Sequence, residues 1–175
     1  MAVYDYRGPV AAAVVTAKLA GARRGWQPLG ELLAQRVAAD PPDVDAVTWV
    51  RTAARRRRVR GVDHAMVLAR AVADRLELPT VPTLSATHTR DGPDRFVVTT
   101  TLPGSNLLVV DDVLTTGATA ATVGRLLAAA GAGRLHLAVL ARAGSHQLVS
   151  VPDALGPDVG VRRVLGPARG EGGDC

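Results

Sequence analysis

The chain has 175 residues, 47% of them hydrophobic, 21% charged and 3% aromatic, with a formal net charge of +5. That length suits one compact domain able to bury about 70% of its unfolded surface, and the composition excludes a disordered polyelectrolyte. Twenty of the 21 cationic residues are arginine, with Lys18 the only lysine. Arginine used everywhere reads as compositional bias, so the excess charge is only a weak pointer to anionic partners.

The single cysteine, Cys175, is the last residue. An internal disulfide framework and a zinc site of clustered cysteines are thereby excluded, and a reducing, cytoplasmic compartment is expected. The apolar run from Pro9 to Ala17 has the wrong flanks for a signal peptide, because Asp5 precedes it with only Arg7 as a cation and Lys18 breaks it. No stretch reaches 18 apolar residues, so no membrane-spanning helix is expected.

Taken in chain order, Gly8-Pro9 followed by Val10, Val14, Val15, Ala17 and Leu19 predicts a helix with proline in its first turn, ending near Gly21. A second helix is expected from Pro28 to Ala39, with Leu29, Leu32, Leu33 and Val37 on one face, stopping before Pro41-Pro42. Asp45 to Val50 (DAVTWV) is short and β-branched, as a buried strand is. After the polar segment Arg51 to Gly61, a helix from Asp63 to Leu76 places Ala65, Leu68, Ala69, Val72 and Leu76 on one stripe. Leu84 to Gly104 carries two Gly/Pro turn signals and no lasting periodicity beyond Phe96-Val97-Val98, and reads as a mobile loop.

Asn106 to Val110 (NLLVV) has the apolar run of a central parallel strand covered on both faces. The polar stretch Asp111 to Thr119 follows, then a helix to about Ala130 with Val123, Leu126 and Leu127 inward and Gly131 as its stop. Leu135 to Leu140 is the next strand. Strands and helices alternate as in a doubly wound α/β fold. The Gly- and Pro-rich remainder, 144–175, reads as a C-terminal extension disordered at its end, with a weak edge strand at Val159 to Leu165. Residues 1–143 form the expected domain.

Asp111 to Thr119 carries the chemistry. Ligands of open α/β sheets bind beyond the carboxyl ends of the strands. Backbone N–H groups of Thr115-Thr116-Gly117-Ala118-Thr119 would converge on an anion at the helix N-terminus, with the threonine hydroxyls as further donors. Gly117 would let the backbone approach, where a side chain would obstruct the anion. Asp111 and Asp112 cannot hold a phosphate, but they accept from vicinal hydroxyls and help place a divalent cation. Phosphate donors beside diol acceptors describe a site for ribose 5-phosphate.

The segment LLVVDDVLTTGAT resembles the phosphoribosyl-pyrophosphate (PRPP) motif of type I phosphoribosyltransferases. It differs from a glycine-rich P-loop, since no Gly-Lys-Ser/Thr follows. The blocks from Val3 to Lys18, Val50 to Ala69 and Asn106 to Ala143 are similar to the ComF-type, late-competence branch of that family. Members of that branch commonly begin with a cysteine-rich, zinc-ribbon-like segment that is absent here, so a short form or fragment is expected. Arg51 stands where a proline is common, and Val62-Asp63-His64 where Phe-Asn-Gln is.

The resemblance implies a type I phosphoribosyltransferase fold, a mainly parallel sheet flanked by helices with a mobile loop. It implies Mg²⁺-assisted transfer of ribose 5-phosphate from PRPP to a nitrogen acceptor, with release of pyrophosphate. Asp111 and Asp112 would take the ribose hydroxyls and the metal, through water or substrate, and Thr115, Thr116, Gly117, Ala118 and Thr119 the 5-phosphate. Arg51, Thr52 and Ala53 match the pyrophosphate loop. Arg60, favoured over Arg55 to Arg58 for the glycine that follows it, joins the two aspartates as a catalytic candidate, and Arg90 and Arg95 are mobile-loop candidates.

Members acting on 6-oxopurines carry an acid three positions after the second aspartate. Thr115 stands there, which disfavours guanine and hypoxanthine and leaves adenine, orotate, an amine or another acceptor open. A homodimer and a competence helicase partner are implied by analogy only. Two further readings stand beside the enzyme: a PRPP- or nucleotide-binding accessory protein in DNA uptake, and, weakest, a nucleic-acid binder using Arg55 to Arg58. His64, His88, His136 and His146 lack metal-ligand spacing, and His64 reads as a surface or capping residue. Trp26 and Trp49 read as packing rather than base-stacking platforms.

Overall fold

A computed structural model describes residues 2–20, 23–51, 63–87 and 95–143. In chain order they form β1 (Ala2–Asp5), α1 (Gly8–Ala20), α2 (Arg23–Ala38), β2 (Ala46–Arg51), α3 (His64–Leu76), β3 (Leu84–Thr87), β4 (Arg95–Val98), β5 (Leu107–Leu114), α4 (Ala118–Ala129) and β6 (Leu135–Arg142). The sheet order is β1-β6-β5-β2-β3-β4, with every pairing parallel except β3 with β4. Five parallel strands thus end in one antiparallel edge.

Alternation along the strands divides the core into two layers. Val47, Trp49, Leu108, Val110, Ala138 and Leu140 face α1, α2 and α3, where they meet Val14, Trp26, Leu33, Leu68 and Val72. Ala46, Leu84, Leu107, Val109 and Leu135 face the other side, under Val123 and Leu127 of α4. Register is set at the amino end of the central strands. There the Asp45 carboxylate accepts from the Asn106 N–H at 2.7 Å, and the Asn106 side chain accepts from the Arg134 N–H at 2.9 Å.

Several expectations are corrected. α2 begins at Arg23 and holds Pro28 within it, although proline suits a first turn better. Its opening turn is held by Trp26, which is fully buried and donates Nε1–H to the Ala17 carbonyl at 3.1 Å. Leu32 is 40% exposed and does not join Leu33 and Val37 in the core. The segment expected to be a mobile loop contains β3 and β4, paired from Leu84↔Val98 to Thr87↔Arg95. β1, which the sequence reading misses, adds to β6 at the sheet edge. His64 is buried and stacks on Trp26 with ring centroids 4.3 Å apart, so it is not a surface residue.

Gly30 permits the close approach of α2 and α3, since a Cβ there would lie 2.9 Å from the Ala71 Cβ. Gly30→Leu is therefore expected to cost about 1–3 kcal/mol through overpacking, measurable as a fall in the urea midpoint at unchanged m-value. A leucine tolerated without loss would show that the two helices separate freely.

Candidate functional site

β5 does not stop at Val110 as its apolar run suggests. It continues to Leu114, paired with β6 through Asp111↔Val139, Val113↔Ala141 and Leu114↔Arg142. Asp111 and Asp112 consequently lie inside a strand, where successive side chains point to opposite faces.

Asp111 lines an open depression on the α4 face, together with Thr115, Gly117 and Thr119 and with Val50, Val109, Leu137 and Val139. Asp112 reaches the other layer, where its Oδ2 pairs with Lys18 Nζ of α1 at 2.5 Å. Each carboxylate also accepts from the next backbone amide. Asp111 Oδ1 takes the Asp112 N–H and Asp112 Oδ1 the Val113 N–H, both at 2.8 Å. The pair is fixed by the chain that carries it, and only its first member belongs to the depression.

Thr115, Thr116, Ala118 and Thr119 are exposed, so nothing among the described residues seals the turn. Thr116 Oγ1 accepts from the Ala118 N–H at 3.3 Å. The first backbone bond of α4 is Ala121 N–H to the Gly117 carbonyl at 2.8 Å, which leaves the Thr119 and Ala120 amides without intrahelical acceptors and available to an anion. Gly117 caps the helix at φ +80°, with open space where a Cβ would stand. Its glycine is therefore demanded by a left-handed backbone rather than by lack of room.

Burial in this largely apolar setting, reinforced by the Asp112 charge, pushes the Asp111 carboxyl up to about 7; the Asp112 amide and Lys18 oppose the shift. A carboxyl whose folded value exceeds its unfolded one stabilises the fold fully below the unfolded value, near 3.8, and loses that contribution as pH rises through about 7. Asp111→Asn is accordingly expected to raise the melting temperature of the ligand-free, metal-free protein at pH 8, by on the order of 3 °C or more, with little gain at pH 4. Thermal melts at the two pH values check it, and an equal shift at both would be contrary to this origin.

Of the other predicted site residues, Arg51 ends β2 in register with Ser85, and Arg95 opens β4 opposite Thr87. Thr52, Ala53, Arg60 and Arg90, with Arg55 to Arg58 and 144–175, lie outside the described residues. Among the described residues no three His, Cys, Asp or Glu side chains cluster as a metal site, and no helix is long and apolar enough to cross a membrane. Sequence reasoning missed the Lys18 contact and the valine floor drawn from β2, β5 and β6. The lone lysine of an arginine-rich chain was the available signal for the first.

The protein-family model for the phosphoribosyl transferase domain matches residues 42–155, more than half of the chain. The chain belongs to the phosphoribosyl transferase domain family. Its α/β fold sets five parallel strands between helices, as the fold expected for that family does. Among solved structures it is similar to a hypothetical protein from Neisseria gonorrhoeae with bound ppGpp, at 17% identity over 79% of this chain and 76% of that one, with a TM-score of 0.54. It is also similar to the allosteric regulatory enzyme of purine biosynthesis, at 17% identity and a TM-score of 0.53, over 66% of this chain but only 26% of that longer one. No curated protein sequence matches the chain. Within the phosphoribosyl transferase match fall Asp111, Asp112 and the whole turn from Thr115 to Thr119.

Proposed function

We propose that this protein transfers ribose 5-phosphate from PRPP to a nitrogen acceptor and releases pyrophosphate. The observation that carries the reading is the open depression in which Asp111, Thr115, Gly117 and Thr119 meet at the carboxyl end of β5 and the amino end of α4. Donors for a terminal phosphate and an acceptor for sugar hydroxyls stand side by side there.

In this reading the amides of the first turn of α4 and the hydroxyls of Thr115 and Thr119 take the 5-phosphate, and the carboxylates of Asp111 and Asp112 take the ribose hydroxyls, Asp111 from within the depression. Asp112, held by Lys18, retains acceptor capacity beyond that contact. Arg51, Thr52 and Ala53 stand in sequence where pyrophosphate is expected, with Arg60, Arg90 and Arg95 as further cations for the leaving group. Magnesium fits here only in company with the substrate's own oxygens, because among the described residues Asp111 is the one carboxylate lining the depression. When bound it neutralises charge developing on pyrophosphate. The protein's part is orientation, exclusion of water over the valine floor, and donors placed in advance.

The acceptor is proposed to be other than guanine or hypoxanthine, on the strength of Thr115. Placement in the ComF-type branch, and the reducing, cytoplasmic setting suited to Cys175, are parts of the same proposal and rest on the sequence resemblance. Wild-type protein with PRPP, Mg²⁺ and a panel of adenine, orotate, ammonia and simple amines should release pyrophosphate with at least one acceptor. PRPP-dependent thermal stabilisation with no acceptor supporting turnover would instead favour the accessory, non-catalytic reading. That second reading draws on Asp112, which faces Lys18 rather than the depression.

A further inference from the structure

Lys18 is the only lysine among 21 cationic side chains. In a chain whose other cationic side chains are all arginine, the one lysine meets the second aspartate of the candidate site. The two groups come from different layers, α1 and β5, and are far apart in sequence. Lys18 Nζ lies on Asp112 Oδ2 while the other carboxylate oxygen receives the Val113 amide, so both oxygens are pinned. The contact is mostly shielded, with side-chain exposures of 33% and 19%. An ammonium is a compact charge with three rotatable donors, whereas a guanidinium is a longer planar fork that grips both oxygens of a carboxylate at once. The ammonium holds one oxygen and leaves acceptor capacity for a ligand; the fork would use it up.

We propose that Lys18 is a positioning residue for PRPP binding: it fixes the Asp112 carboxylate on the α1 face of β5, so that a ribose lying over the end of that strand meets Asp111 from the depression and the remaining acceptor capacity of Asp112 from the opposite face. This rests on the PRPP reading above. It assigns to α1, which lies outside the matched family region of residues 42–155, a part in the site. It also gives the lysine a role that its place in the last turn of α1, favourable to the helix dipole, does not require.

The single lysine makes the test clean, since lysine labelled with ¹³C at Cε gives one side-chain signal. That signal should move in Asp112→Asn, and again when wild type is titrated with PRPP and Mg²⁺. PRPP affinity is then measured by calorimetry for wild type, Lys18→Met, Lys18→Arg, Asp112→Asn and Lys18→Met/Asp112→Asn. Lys18→Met should weaken PRPP about tenfold or more, and should add less than about twofold once Asp112 is already asparagine. Lys18→Arg should recover the melting temperature but not the affinity, a split that a merely structural role would not produce. Wild-type binding with Lys18→Met unaffected, with the two substitutions additive, or with Lys18→Arg equal to wild type, would overturn the positioning role and leave the PRPP reading standing. Should Lys18→Met fail to fold, the Lys18→Arg comparison and the wild-type signal decide. Failure of wild type itself to bind PRPP would overturn both.

Discussion

Asp111→Ala/Asp112→Ala should lower PRPP affinity by about 10²–10⁴-fold while leaving the far-ultraviolet dichroism unchanged. Hydrogen bonds to charged groups contribute about 1.5–3 kcal/mol each, and a ribose diol offers two hydroxyls to this pair. The two singles should differ. Asp111 borders the depression directly, whereas Asp112 lies across the sheet against Lys18, so Asp111→Ala should show the larger loss. Stability should not fall with it, because Asp111 is a part-buried carboxyl held above its ordinary range, which the fold tolerates rather than requires. Calorimetric titration with PRPP and Mg²⁺, accompanied by a thermal melt of each variant, measures both. Equal affinities across the set would remove the carboxylates from the site.

The largest effect on stability is expected from Trp26→Ala, a loss of about 3–5 kcal/mol against a typical domain total of about 5–15. The indole is fully buried, its N–H bonds the Ala17 carbonyl of α1, and its face stacks on His64 of α3. One side chain therefore joins three helices on the face of the sheet opposite α4. At about 2–4 °C per kcal/mol, the melting temperature should fall by roughly 10 °C. Trp26→Phe should fall less, since it retains the stacking and most of the volume. Because the Ala17 carbonyl lies next to Lys18 in the chain, Trp26→Ala should also loosen the Lys18–Asp112 contact. A loss under about 1 kcal/mol in urea unfolding would show that the three helices are held together elsewhere.

The layered fold was legible in the sequence where burial writes itself as periodicity. α1 and α3 have nearly the expected limits, and the stop of α4 at Gly131, with φ +86°, follows from the turn chemistry read there. Departures occur where a distant partner decides. The apolar run of β5 ends at Val110, but the ladder to β6 carries the strand on through two aspartates to Leu114. β3 and β4 are four residues each and stabilise one another by pairing, which no local pattern announces. β1 is held by its parallel neighbour β6. α2 gains its first turn from the burial of Trp26, against the preference of Pro28 for a helix start.

The site divides in the same way. The phosphate turn could be read locally, since threonines around a glycine at a strand-to-helix junction have few other geometries, and Gly117 does take the left-handed conformation. That Asp111 and Asp112 face opposite layers could not, because it depends on their lying within a strand rather than after one. The Lys18 partner is a tertiary fact, hinted at only by the choice of lysine where arginine is the habit of the chain.

The ribose 5-phosphate cradle is tested most directly by a crystal structure of the protein with PRPP and Mg²⁺. It should show the 5-phosphate on the amides between Thr115 and Ala120 and a ribose hydroxyl within about 3 Å of an Asp111 carboxylate oxygen. PRPP seated away from the amino end of α4, with its ribose out of reach of Asp111, would contradict it.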